Sequence, residues 1–138
     1  MSKDATRDLI ERYFTAFNDH SIDGMLACLD EDVAHDVNQG ERRIGKAKFK
    51  EFSVHMARSY REELTDMVIM VSDDGHRAAA EFTVHGEYLA TDEGLPPANG
   101  QTYSLPAGTF FEIDDGKISR VTTYYNLTDW IAQVENAK

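Results

Sequence analysis

Leu64-Thr65-Asp66-Met67-Val68-Ile69-Met70-Val71, then Ser72-Asp73-Asp74-Gly75, then residues 77–89 form the stretch on which the fold turns. The first run is rich in β-branched residues and methionine, and the Ser-Asp-Asp-Gly segment after it is a strong hairpin signal. Residues 77–89 return as the partner strand. A loop, Gly94-Leu95-Pro96-Pro97-Ala98-Asn99-Gly100, leads to a strand over residues 101–113, and Asp114-Asp115-Gly116 turns that strand into another from Lys117 to Tyr125. Four long strands joined mostly by hairpins predict a long antiparallel sheet. Gly86 and Gly108 fall inside strand patterns, where glycine often marks a bulge or a bend. Two such sites would let the sheet curl and leave a cavity.

Upstream the period is helical. Leu9, Ile10, Tyr13, Phe14 and Phe17 recur at helix spacing and predict an amphipathic helix over residues 4–18. Ser21 is a natural N-cap for a short second helix burying Ile22, Met25, Leu26 and Leu29. A brief strand from Val33 to Val37 stops at Asn38-Gln39-Gly40, and Phe49, Phe52, Met56 and Tyr60 predict a third helix over residues 46–60. A terminal helix starts near Thr128 and packs Trp130, Ile131 and Val134. The order is α+β: a curved antiparallel sheet packed on three N-terminal helices, with a short C-terminal helix.

Length and charge narrow the function. A chain of 138 residues suits one domain, residues 1–138, and with 41% hydrophobic residues it needs neither disulfides nor a structural metal. The single Cys28 reads as a small core filler. With 25 acidic against 14 basic residues, the net charge of −11 repels phosphate backbones and anionic lipid, so nucleic-acid and membrane partners are not expected. No apolar run approaches a membrane span or the core of a signal peptide, which leaves the cytoplasm as the expected compartment. The histidines at 20, 35, 55, 76 and 85 form no metal-binding pattern, and neither a phosphate-binding glycine loop nor a serine-nucleophile motif is present.

Two residues stand out for chemistry. Strand alternation puts Val33, His35 and Val37 on one face and Ala34 with Asp36 on the other. An interior Asp36 would have its pKa raised by desolvation and would serve as a proton acceptor; the alternative is a solvated aspartate before a turn. Tyr13 lies on the apolar face of the first helix, where its hydroxyl is satisfied either by the protein or by a ligand oxygen.

Ile10-Glu11-Arg12-Tyr13-Phe14-Thr15-Ala16-Phe17-Asn18 and Ile22-Asp23-Gly24-Met25 resemble the opening of ketosteroid isomerases, and Asp32-Val33-Ala34-His35-Asp36 resembles the strand that ends in their catalytic aspartate. Gly94-Leu95-Pro96-Pro97 and residues 109–118 resemble the SnoaL-like polyketide cyclase branch of the same nuclear transport factor 2-like superfamily. The resemblance implies an α+β cone, a homodimer paired through the outer sheet face, no cofactor, and an apolar pocket for a small, largely apolar carbonyl ligand. It carries the proton-shuttling aspartate onto Asp36 and the oxyanion-hole tyrosine onto Tyr13, with Phe52, Phe82, Val84, Val121 and Tyr125 lining the pocket. Ketosteroid isomerases pair their aspartate base with an oxyanion hole of a tyrosine and a protonated aspartic acid. An ungapped match places that acid's position on Gly108, also in the pocket wall, so the expected activity is a different isomerase or cyclase reaction. A non-catalytic module binding a hydrophobic ligand or partner in the same cavity is the competing expectation.

Overall fold

Helix α1 (Lys3–Asn18) starts at Ser2, whose side chain accepts the Ala5 N–H at 3.0 Å and so caps the first turn. Its apolar stripe, including Leu9, Ile10, Tyr13 and Phe14, is buried. The computed structural model describes residues 2–136. After α1 come α2 (Ile22–Leu26), β1 (Leu29–Val37), β2 (Arg43–Ile44), α3 (Lys46–Ser59), β3 (Tyr60–Val71), β4 (Arg77–Tyr88), β5 (Thr102–Asp114), β6 (Lys117–Tyr125) and α4 (Leu127–Asn136). Among the described residues no helix is long and apolar enough to cross a membrane.

The sheet has six strands in the order β2-β1-β6-β5-β4-β3 and curls, unclosed, over the helices. It is mixed, not purely antiparallel as the hairpins suggest, because β1 lies parallel to β6. Consecutive strands announce their pairing through the turn between them, whereas β1 reaches its partner from far along the chain and carries no local signal. Strand β1 also begins at Leu29 rather than Val33, and β3 at Tyr60 rather than Leu64, since Asp30, Glu31 and Asp32 and then Arg61 to Glu63 mask both beginnings.

Register separates two faces. Leu64, Val84 and Leu105 share a row facing the helices, as do Ala78, Phe111 and Val121. All six are buried. Helix α1 covers these rows along their length. At one end Thr6 Oγ1 donates to the Gly75 carbonyl at 2.7 Å, and at the other the Asn18 amide bonds both the carbonyl and the N–H of Leu64 at 3.0 and 2.9 Å. The outer face exposes Val68, Met70, Phe110 and Tyr124.

The bends do not sit at the predicted glycines. Pairing of β4 with β5 runs unbroken past Gly86 and Gly108, while register shifts occur between Thr65 and Val68 and between Glu112 and Ile113. Asp66 takes the left-handed φ of 55° that the first shift demands. Gly108, paired with Glu81 and Tyr124, belongs to the outer face, so it does not line the interior as expected. Gly86 has a different purpose. A Cβ there would stand 2.2 Å from the Tyr103 ring, which occupies the space above it.

Asp36 also lies on the outer face, in register with Thr122. Its carboxylate accepts Arg42 Nε at 2.8 Å, Arg42 Nη2 at 2.9 Å and the Thr122 hydroxyl at 2.7 Å. The chain of contacts continues from Thr122 to Arg120 and from Arg120 to Glu112, at 2.7 and 2.6 Å. The bond from Arg42 is the main reason that its pKa falls to about 2, against the partial burial that pushes it up. The sequence expectation of a buried aspartate with a raised pKa is therefore reversed: a neighbouring guanidinium and hydroxyl outweigh desolvation.

Two measurements check this packing. Gly86→Ala is expected to cost about 1–3 kcal/mol in urea unfolding, as overpacking of a filled site does, because the Tyr103 ring must move. Asp36→Asn should lower stability at neutral pH by about 1 kcal/mol, allowing for solvent around Arg42. The folded pKa of about 2 lies below the free value of 3.8, so the contribution is full above the free value and is lost as pH falls through about 2. Wild type and Asp36→Asn should thus converge in acid unfolding curves at the low end.

Candidate active site

Alternation from Leu64 back toward the start of β3 puts Glu62 and Tyr60 on the inner face, so a carboxyl group enters an otherwise apolar row. Glu62 pairs in register with Gly86, and Gly86 with Tyr103. Because Gly86 has no side chain, the Tyr103 ring lies across it and its hydroxyl donates to Glu62 Oε2 at 2.5 Å. Glu62 is half-buried, and burial pushes its pKa up although the Tyr103 bond pulls the other way. Burial and the adjacent Glu62 charge likewise push the Tyr103 hydroxyl up, so it stays protonated as a donor. Trp130 of α4 packs edge-on against Tyr103 and Tyr88, with ring centroids 5.7 and 5.0 Å apart.

A second carboxylate closes the same end. The loop after β4 brings Asp92 to the Tyr60 hydroxyl at 2.7 Å and to Nε2 of His55, on α3, at 2.8 Å. Burial works to raise the Asp92 pKa, but the bonds from Tyr60 and His55 together lower it. Tyr88 secures the loop by accepting the Asp92 N–H at 2.9 Å and donating to the Pro96 carbonyl at 2.7 Å. Half-buried Tyr125 feels both carboxylates: burial first, then the Glu62 and Asp92 charges, push its hydroxyl up. Two carboxyl groups of opposite tendency, one shifted up and one down, are the pattern by which sites divide acid and base roles. A cleft of about 620 Å³ borders the same strands, but it is lined mostly from the outer face, by Arg61, Glu63, His85, Glu87, Thr102 and Ser104, with Glu62, Gly86 and Tyr103 at its edge.

The residues singled out in the sequence are only partly brought together. Tyr125 stands beside the carboxylates. Phe82 packs on Phe14 with centroids 5.5 Å apart, and Val84 and Val121 are buried on the inner face. Phe52, half-buried on α3, meets His35 rather than Asp36. Register with Val121 gives the inward position on β1 to His35, and Asp36 points the other way. Tyr13 packs edge-on against Phe14 and Phe111, with centroids 5.2 and 5.6 Å apart, and burial raises its hydroxyl pKa above the ordinary value. Sequence reading missed Glu62, Tyr103, Tyr60, Asp92 and His55. One signal was present: Tyr60, Glu62 and Leu64 fall on one face of a strand once it is begun at Tyr60. Among the described residues no three His, Cys, Asp or Glu side chains gather as a metal ion would require.

Comparison with known proteins fits this architecture. Residues 10–121 match the family model of the SnoaL-like domain. A candidate polyketide cyclase from Xanthomonas campestris pv. campestris is 56% identical over 96% of this chain and 98% of its own, with a TM-score of 0.93. Another, from Silicibacter sp., is 62% identical over 97% of this chain and 98% of its own, also with a TM-score of 0.93. A nuclear transport factor 2-like protein from Burkholderia pseudomallei shares the fold, with a TM-score of 0.80 at 17% identity over 97% of this chain and 98% of its own. No curated protein matches the chain. The helices, the curved mixed sheet and the match over most of the length agree: this chain belongs to the SnoaL-like domain family.

Proposed function

We propose that this protein is a cytoplasmic, cofactor-independent enzyme that moves a proton on a small, largely apolar carbonyl compound, as an isomerase or a cyclase, with Glu62 as the proton acceptor. The supporting observation is the half-buried Glu62 carboxyl, pushed up in pKa by burial and fixed by Tyr103 at 2.5 Å. Relatives that are candidate polyketide cyclases, 56% and 62% identical, favour the same class of chemistry.

In this reading Glu62 takes a proton from the carbon next to the carbonyl. The electron pair of that C–H bond passes to the carbonyl oxygen, which becomes an enolate. A general base gains efficiency as its pKa approaches the working pH, which is what burial gives Glu62. The Tyr125 hydroxyl, beside Glu62, donates to the developing oxygen. Returning the proton to another carbon completes an isomerisation; attack of the enolate carbon on a second carbonyl of the same molecule closes a ring, the C=O π pair passing to that oxygen, which then takes the proton back from Glu62. Asp36 and Tyr13, which the resemblance places in these roles, are less suited. Asp36 is held ionised on the outer face, and Tyr13 packs among aromatic rings. A second copy is proposed to cover the outer face, where Val68, Met70, Phe110 and Tyr124 are exposed.

The test is proton–deuterium exchange at the α-carbon of a small aryl ketone, followed by NMR in heavy water. Wild-type protein should accelerate exchange, and Glu62→Gln should reduce the acceleration by about 10²-fold or more, in keeping with a general base, while leaving the circular dichroism spectrum intact. Equal exchange by both proteins, or none by the wild type, would leave Glu62 without a catalytic role and favour a binding module. Light scattering should give the mass of a dimer at micromolar concentration; a monomer throughout would remove the second copy.

A further inference from the structure

On the side of the interior where Phe52 lies is an imidazole that the proposed proton transfer does not use. His35 projects from the inner face of β1, in register with Val121 of β6 and Arg43 of β2. It is 4% exposed, and its ring packs against Phe49 and Phe52 with centroids 4.6 and 4.7 Å away. Among the described residues its Nδ1 has no hydrogen-bond partner. Buried polar atoms in folded proteins are nearly always paired, and an exception points to something that completes the site. The facing residue is also incomplete. Arg43, half-buried, lies with its guanidinium carbon 4.7 Å from the Phe52 ring centroid and, like Arg7, Arg58 and Arg61, meets no carboxylate among the described residues; of these four only Arg43 is in register with His35.

We propose that His35 and Arg43 form a binding subsite for an anionic oxygen, carboxylate or enolate, carried on a small apolar body that rests against Phe49 and Phe52. Arg43 supplies the charge, which its stacking on Phe52 holds in place. His35 supplies a neutral N–H through Nδ1. Burial first, then the Arg43 charge, holds the imidazole down at about 4, so it does not add a second buried cation. Asp36, the adjacent carboxylate, faces away and is occupied by Arg42 and Thr122, so it does not compete for Arg43. Phe52 and Arg43, on α3 and β2, are both half-buried, so they are the members of the subsite that reach the surface. The subsite does not depend on the role given to Glu62.

The probe is benzoate, with benzyl alcohol as the uncharged molecule of similar shape, titrated into full-length protein carrying ¹⁵N-labelled histidine. Benzoate is expected to shift the His35 Nδ1 resonance saturably, and benzyl alcohol to leave it unmoved. Arg43→Gln should weaken benzoate binding at least tenfold, and Arg43→Lys, which keeps the charge, should weaken it less. His35→Phe should abolish the benzoate-dependent rise in thermal midpoint yet leave the ligand-free midpoint equal or higher, because an unpaired buried nitrogen is removed. No saturable shift, an equal response to benzyl alcohol, an affinity indifferent to Arg43→Gln, or a lowered ligand-free midpoint in His35→Phe would each overturn the proposal.

Discussion

A sheet with strands of 12 and 13 residues carries more apolar surface on one face than water tolerates, and α1 covers it. Leu9, Ile10, Tyr13 and Phe14 press onto the rows that contain Phe82, Phe111 and Val121. Burial of this kind, at roughly 25 cal/mol per Å² of apolar surface, is the main favourable term in folding. It also determines position. Thr6 and Asn18 tie the two ends of α1 to the sheet, so the helix cannot slide along the rows it covers. The inward direction of Glu62 and His35 follows from which face α1 occupies, since strand register puts both on that face.

The polar groups on the two faces of the sheet divide by their partners. Asp36, Arg42, Thr122, Arg120 and Glu112 satisfy one another on the outer face, and such a network stabilises the fold while leaving little reactivity. Among the described residues Glu62 has one hydroxyl partner and no cation, and it retains part of its desolvation as a raised pKa. His35 has no partner at Nδ1 among the described residues. Both Glu62 and His35 face inward, which is why the proposed chemistry rests on them. Gly86 joins packing to chemistry, since only the absence of its side chain admits the Tyr103 ring that holds Glu62.

Much of this was legible in the sequence. The helical spacing from Leu9 to Phe17, the Ser72–Gly75 and Asp114–Gly116 turns and the terminal helix with Trp130 all follow from local patterns, and local patterns are what a sequence displays. The mixed sheet was not legible, because a parallel partner such as β6 for β1 leaves no mark in the turn chemistry. The site was hidden for a related reason. Charged Arg61, Glu62 and Glu63 look like a solvated segment until β3 is known to begin at Tyr60, and then alternation turns Glu62 inward. Asp36 misled because both faces of β1 were open readings, and the register with Val121 gave the interior to its neighbour His35.

Glu62 is a carboxyl group tuned upward by burial and restrained by Tyr103. Titration of the Glu62 side-chain carboxyl by ¹³C NMR in the full-length protein tests this most directly. A midpoint above 4.5, the value of an unperturbed glutamate, is expected, with a further rise in Tyr103→Phe, where the bond that favours the charged form is gone. A midpoint at or below 4.5, or one that falls in Tyr103→Phe, would contradict it.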